Sequence, residues 1–104
     1  MVIVIDFDGT LALGDTKDIN KMIPNLKLVS LIKSLYDDDN TIKIVTARGC
    51  KSCNTFEERS TKYFDIISNW LLKNKVKYHE LSFFKEGADI YIDDRGINVK
   101  NAIY

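Results

Sequence analysis

The chain has 104 residues, 45% of them hydrophobic and 29% charged, with fifteen basic side chains set against fifteen acidic ones. A chain of this length makes one domain with its own core, and balanced charge gives no global field to draw in nucleic acid, a membrane or a polyanion. No apolar run approaches the roughly 20 residues of a membrane span. The N-terminus lacks the basic segment and cleavage site of a secretory leader, so the expectation is a cytoplasmic protein.

The first stretch, Val2-Ile3-Val4-Ile5, is four β-branched apolar residues without polar alternation. That pattern suits a strand buried on both faces in a parallel sheet. It stops at Asp6-Phe7-Asp8-Gly9-Thr10, two acids flanking one aromatic. Ligands of open parallel sheets gather beyond the carboxyl ends of the strands, and two carboxylates there repel unless a cation compensates them. Residues 11–24 read as a polar loop or short hairpin, with Pro24 placed to open a helix. Leu28, Val29, Ile32, Leu35 and Tyr36 recur at helical spacing and predict an amphipathic helix over 25–36. Asp37-Asp38-Asp39-Asn40 then reads as a solvated turn, since it lacks the alternating ligand spacing of a calcium loop.

A second strand, Thr41-Ile42-Lys43-Ile44-Val45, delivers Thr46-Ala47-Arg48-Gly49 to the same edge as Asp6. Cys50-Lys51-Ser52-Cys53 follows. The spacing suits two incidental cysteines, a redox pair or half of a zinc site, although a closed zinc site takes four ligands and His79 is the only histidine. Asn54 or Thr55 caps a long helix with Glu57 and Glu58 in its first turn. Its buried stripe is Phe56, Tyr63, Ile67 and Trp70 or Leu71, and Asn74-Lys75 closes it. A third strand is expected over 77–81 with His79 on its exposed face, a fourth over 88–92, and a terminal helical turn or two over 97–104. The alternation of strands and crossover helices implies a three-layer α/β domain with a short parallel sheet of about four strands.

Three strand ends thus deliver Asp6 and Asp8, Thr46, and Asp93-Asp94, with Lys85 on a loop upstream of the last. Carboxylate oxygens with few nitrogen or sulfur ligands favour a hard cation, magnesium above all. A threonine hydroxyl, backbone donors such as that of Ala47, and a lysine suit a phosphoryl group. One aspartate can attack phosphorus and a second can protonate the leaving oxygen.

Asp6-Phe7-Asp8-Gly9-Thr10-Leu11 after an apolar strand resembles the first signature of the haloacid dehalogenase-like (HAD) phosphohydrolases. Thr46, Lys85 and Asp93-Asp94 resemble the second, third and fourth, in order along essentially the whole chain. The resemblance implies a Rossmann-like core, Asp6 as nucleophile and Asp8 as general acid and base. It implies Thr46 and Lys85 as phosphate-holding residues, and magnesium held by Asp6, the Asp8 carbonyl and Asp94. Asp93 either ligates directly or stands behind Asp94. The interval from Asp8 to Thr46 leaves no room for a cap domain. Thr46-Ala47-Arg48-Gly49 and Tyr91-Ile92-Asp93-Asp94-Arg95 are similar to small HAD proteins of capsular and surface-polysaccharide synthesis, which implies a sugar-phosphate substrate. Arg48 and Arg95 are candidates for contacting it, and an open site implies either a large substrate or a lid lent by a second copy of the chain. Phe84-Lys85-Glu86 departs from the Gly-Lys-Pro usual in those proteins.

Other readings stay open. Asp93-Asp94-Arg95 also resembles the phosphatase half of polynucleotide end-healing enzymes, so a nucleotide or polynucleotide 3′-phosphatase is an alternative, against which the missing basic stripe counts. A domain that binds magnesium and phosphate without turnover is another. A phosphoacceptor receiver domain shares the residue types but needs its acceptor aspartate on a middle strand, where this chain offers Thr46.

Overall fold

The computed structural model describes residues 1–14, 17–46, 48, 55–83, 89–94 and 96–99. In chain order its elements are β1 (Val2–Asp6), β2 (Ala12–Leu13), a 3-10 turn (Ile19–Lys21), β3 (Ile23–Pro24), α1 (Leu26–Asp37), β4 (Thr41–Val45), α2 (Phe56–Lys73), β5 (Glu80–Ser82), β6 (Ile90–Asp93) and β7 (Gly96–Val99). Five strands form one sheet in the order β5-β4-β1-β6-β7, and β2 pairs with β3 in a small ribbon beside it. Strands β5, β4, β1 and β6 run parallel, and β7 returns antiparallel at the edge. The fold is α/β, and β1 lies at its centre.

Register sorts the side chains. Ile3 faces Ile42 and Ile90, Ile5 faces Ile44 and Ile92, and Ile44 faces Leu81, so these residues share one side of the sheet. All but the half-buried Ile90, which packs against it, belong to the core, together with Leu28 and Ile32 of α1 and Ile67, Trp70 and Leu71 of α2. Both helices therefore cover the same face. The topology requires this: the chain steps from β1 to β4 to β5 in one direction, and right-handed crossovers in one direction keep to one side. The opposite face carries Val4, Asp6, Lys43, Val45, Tyr91 and Asp93. Among the described residues both α-helices lie on the other side.

Local chemistry explains most boundaries. Asn25 caps α1, its side chain accepting from the Leu28 N–H at 3.3 Å. Pro24 does not open the helix; it pairs with Ala12 one residue before the cap, in a ribbon position that needs no donor from it. The helix runs one residue further than its periodicity predicts, to Asp37, where Lys33 forms an i,i+4 ion pair at 3.0 Å. Thr55 caps α2 by accepting from the Glu58 N–H at 3.1 Å. Of the α2 stripe, Ile67, Trp70 and Leu71 are buried and Tyr63 is half-buried.

The later strands depart from expectation. Regular pairing of β5 begins only at Glu80, and His79 serves structure: its ring stacks on Tyr36 at 4.5 Å, and its Nδ1 accepts from the Ile42 N–H at 3.0 Å. Strand β6 starts at Ile90, because Asp89 uses its carboxylate on the Val2 N–H at 2.6 Å. The terminal segment is not helical as far as Val99. Asp93 pairs directly with Gly96 and the chain returns as β7, with Gly96 in the left-handed region at φ +116°. An isolated helix this short is marginal in water, whereas β-branched Ile97 and Val99 suit an edge strand that satisfies the backbone of β6. Among the described residues no helix is long and apolar enough to cross a membrane.

Candidate functional site

The carboxyl end of β1 is held by its aromatic residue. The Phe7 N–H donates to the Val45 carbonyl at 2.8 Å, and the ring is fully buried edge-on against Trp70, with centroids 5.1 Å apart. Trp70 in turn donates its indole N–H to the Met22 carbonyl at 3.2 Å, tying α2 to the segment that follows β1. With Phe7 anchored inward, Asp6 and Asp8 turn away from the core. Gly9 then adopts φ +77°, a backbone that β-carbon-bearing residues avoid. The turn is closed by Ala12 N–H to Phe7 carbonyl at 2.9 Å and Gly9 N–H to Ala12 carbonyl at 2.9 Å.

Asp8 meets the end of β4. The buried Thr46 hydroxyl donates to Asp8 Oδ2 at 2.8 Å and accepts from the Arg48 N–H at 3.0 Å. The Arg48 guanidinium brings Nε, at 3.0 Å, and Nη2, at 2.6 Å, onto Asp8 Oδ1. Its Nη1 reaches the Lys17 carbonyl at 3.4 Å, and Nη2 also lies 3.3 Å from Met22 Sδ. Arg48 retains only 16% side-chain exposure and Asp8 35%, so the pair is largely withdrawn from water. Both Asp8 oxygens thus have donors, and its carboxylate is oriented by two side chains of the one segment that follows β4.

Asp6 meets the end of β6 instead. Ile5 is opposite Ile92, which places Asp6 and Asp93 at the next position of neighbouring strands, on the sheet face that also carries Tyr91. The Tyr91 hydroxyl is held above its ordinary pKa, first by burial and then by the charges of Asp6 and Asp93. Both carboxylates therefore bear on one phenol. Asp94 sits one residue further on and is exposed.

The structure brings Asp8, Thr46 and Arg48 together at one point, and Asp6 and Asp93 around Tyr91 beside it. Ala47, Lys85 and Arg95, like Cys50 and Cys53, lie outside the described residues. Among the described residues no three His, Cys, Asp or Glu side chains converge as a ready-made metal site. Tyr91, Lys17 and Met22 were not singled out from sequence as site residues. Tyr91 was within reach of that reasoning, since two-residue alternation puts it on the same side as Asp93; Lys17 and Met22 enter through a loop contact that carries no periodic signal.

The sequence matches no protein-family model and no curated protein. A solved structure is similar: the crystal structure of a structural-genomics target from Vibrio cholerae, 24% identical, with a TM-score of 0.76. The match covers 95% of this chain and 78% of that one, and at this identity it shows a shared α/β fold alone.

Proposed function

We propose that the protein is a magnesium-dependent phosphatase with a capless HAD-like core, acting on a phosphate monoester, a sugar phosphate by preference, through an aspartyl-phosphate on Asp6. The observation that carries this reading is the meeting of Asp8 with Thr46 and Arg48 beside Asp6, at the carboxyl edge of the parallel strands. An Asp6 oxygen would attack phosphorus as the bond to the ester oxygen breaks. Asp8, two residues on, would give its proton to the departing oxygen, then take one from the water that hydrolyses the aspartyl-phosphate. Thr46 would exchange its bond to Asp8 for one to a phosphoryl oxygen, and Arg48 would keep Asp8 aimed. Lys85 is assigned to the phosphoryl group by resemblance.

The donor set fits magnesium, which takes one or two carboxylates and keeps several waters. Asp6 and Asp93, with the Asp8 carbonyl and Asp94 at hand, are the groups that would hold it, and it would neutralise charge on the phosphoryl oxygens.

The test is phosphate release from sugar phosphates, nucleoside monophosphates and a 3′-phosphorylated oligonucleotide, with and without magnesium, for the parent and Asp6→Asn. Magnesium-dependent release that disappears in Asp6→Asn is expected. A non-catalytic binding domain is the second reading, favoured by one observation: both Asp8 oxygens are already occupied by donors. Folded, magnesium-binding protein that releases no phosphate across the panel would select it.

A further inference from the structure

A second feature lies on the far side of Arg48. Between the segment after β2 and the outer face of α2 is a cleft of about 540 Å³, lined by Lys17, Asp18, Arg48, Lys62, Tyr63 and Ile66 among others. That volume is within the usual range for small-molecule sites. Arg48 forms the partition: one end of its guanidinium holds the Asp8 carboxylate and the other reaches the Lys17 carbonyl at the cleft wall. Arg48 is thus the lining side chain through which the cleft meets Asp8.

Charge in the cleft is net positive, with Lys17 and Lys62 set against the Asp18 carboxylate. The Arg48 cation is offset by Asp8, and the Asp18 carboxylate is engaged by the Asn20 N–H at 3.0 Å. Lys17 is exposed, and its ammonium has no ion-pair partner among the described residues. Lys62 lies over the Tyr63 ring at 5.2 Å, a contact that leaves its hydrogen-bond donors available. Tyr63 and Ile66 supply an apolar wall of the kind on which a sugar ring or similar flat face packs.

We infer that this cleft is the leaving-group subsite, and that it selects a phosphomonoester whose non-reacting part carries a second anionic group, a phosphate or a carboxylate. The second anion sits between Lys17 and Lys62, and the body of the leaving group lies against Tyr63 and Ile66. The inference rests on the phosphatase reading for the direction of departure, but binding tests it without turnover.

The variant is Lys17→Gln with Lys62→Gln, two exposed positions outside the catalytic group. Calorimetry on the Asp6→Asn background reads binding of glucose 1,6-bisphosphate and 6-phosphogluconate, with glucose 6-phosphate as the control that has no second anionic group. The two ligands with a second anionic group are expected to bind on the order of tenfold more tightly than the control, the modest gain that exposed ion pairs allow. The double variant is expected to erase that margin and leave the control unchanged. In turnover the same variant should raise KM for the bisphosphate while sparing kcat and the hydrolysis of p-nitrophenyl phosphate. Undiminished binding of the ligands with a second anionic group by the double variant, or no preference in the Asp6→Asn protein, would overturn the subsite. Lysine-dependent binding with no phosphate release from any ester would leave the subsite standing and remove the phosphatase reading instead.

Discussion

Arg48 places two N–H groups on one oxygen of Asp8 while Thr46 holds the other, and this arrangement makes its guanidinium difficult to replace. A lysine has the charge but not the rigid fork. Arg48→Lys should therefore behave more like Arg48→Ala than like the parent, with kcat lowered roughly 10- to 100-fold and KM for p-nitrophenyl phosphate little changed, as expected of a positioning residue. If Arg48→Lys kept parental kcat, Asp8 would not depend on the fork. Asp6→Asn should abolish turnover and leave the far-ultraviolet circular dichroism spectrum unchanged; residual magnesium-dependent turnover would remove Asp6 as nucleophile. Tyr91 gives a pH-dependent prediction. Its folded pKa is raised above the unfolded value near 10, chiefly by burial, so above that pH the unfolded chain loses the proton first and the native state is disfavoured. The contribution is intact below about pH 10 and is lost as pH rises through the folded value. Tyr91→Phe should remove this part of the alkaline loss in metal-free buffer, giving a shallower fall in denaturation midpoint above pH 10. An unaltered alkaline limb would show that Tyr91 contributes nothing to it.

At the scale of elements, what was legible in sequence was whatever burial writes as a period. Ile3 and Ile5 of β1, the isoleucines of β4 and the Leu28–Ile32 and Ile67–Leu71 stripes each follow from one face meeting one core. Asp6, Asp8 and Thr46 were legible for the same reason, because they sit where those apolar runs stop. Edge and entry geometry left no such period. Strand β7 is short, exposed at Ile97 and defined by its pairing with β6; Pro24 is fixed by Ala12 across a ribbon. The site depends on one such non-periodic contact, Trp70 against Phe7 with its N–H on the Met22 carbonyl. Trp70→Phe keeps an aromatic against Phe7 but orphans that buried acceptor, which predicts a loss of about 1–3 kcal/mol in urea unfolding. Trp70→Ala adds a cavity and should lose about 3–5 kcal/mol. Equal losses for the two would mean that the hydrogen bond to Met22 adds nothing.

For the molecule as a whole, zero net charge means that electrostatics act locally. The most concentrated negative charge on the described sheet face is Asp6 beside Asp93, on neighbouring strand ends and both acting on Tyr91. Like charges this close oppose folding, and a cation bound only by the native state offsets that opposition by mass action. On the proposed reading, magnesium at ten times its dissociation constant adds about 1.4 kcal/mol to stability, which for a domain of about 100 residues raises the melting temperature by roughly 7 °C. Asp93→Asn reverses both halves of this behaviour. It removes one of the repelling charges, so the variant should melt higher than the parent in EDTA. It also removes a proposed ligand of the cation, so its gain on adding magnesium should be smaller than the parent's. The crossing of the two effects is diagnostic, because a merely structural role for Asp93 would lower stability in both buffers. Calorimetric scans of parent and Asp93→Asn, each with EDTA and with magnesium, read all four values. A parent with no magnesium-dependent rise would remove the cation from the Asp6–Asp93 pair, and an Asp93→Asn protein that gained as much as the parent would assign the cation to other groups.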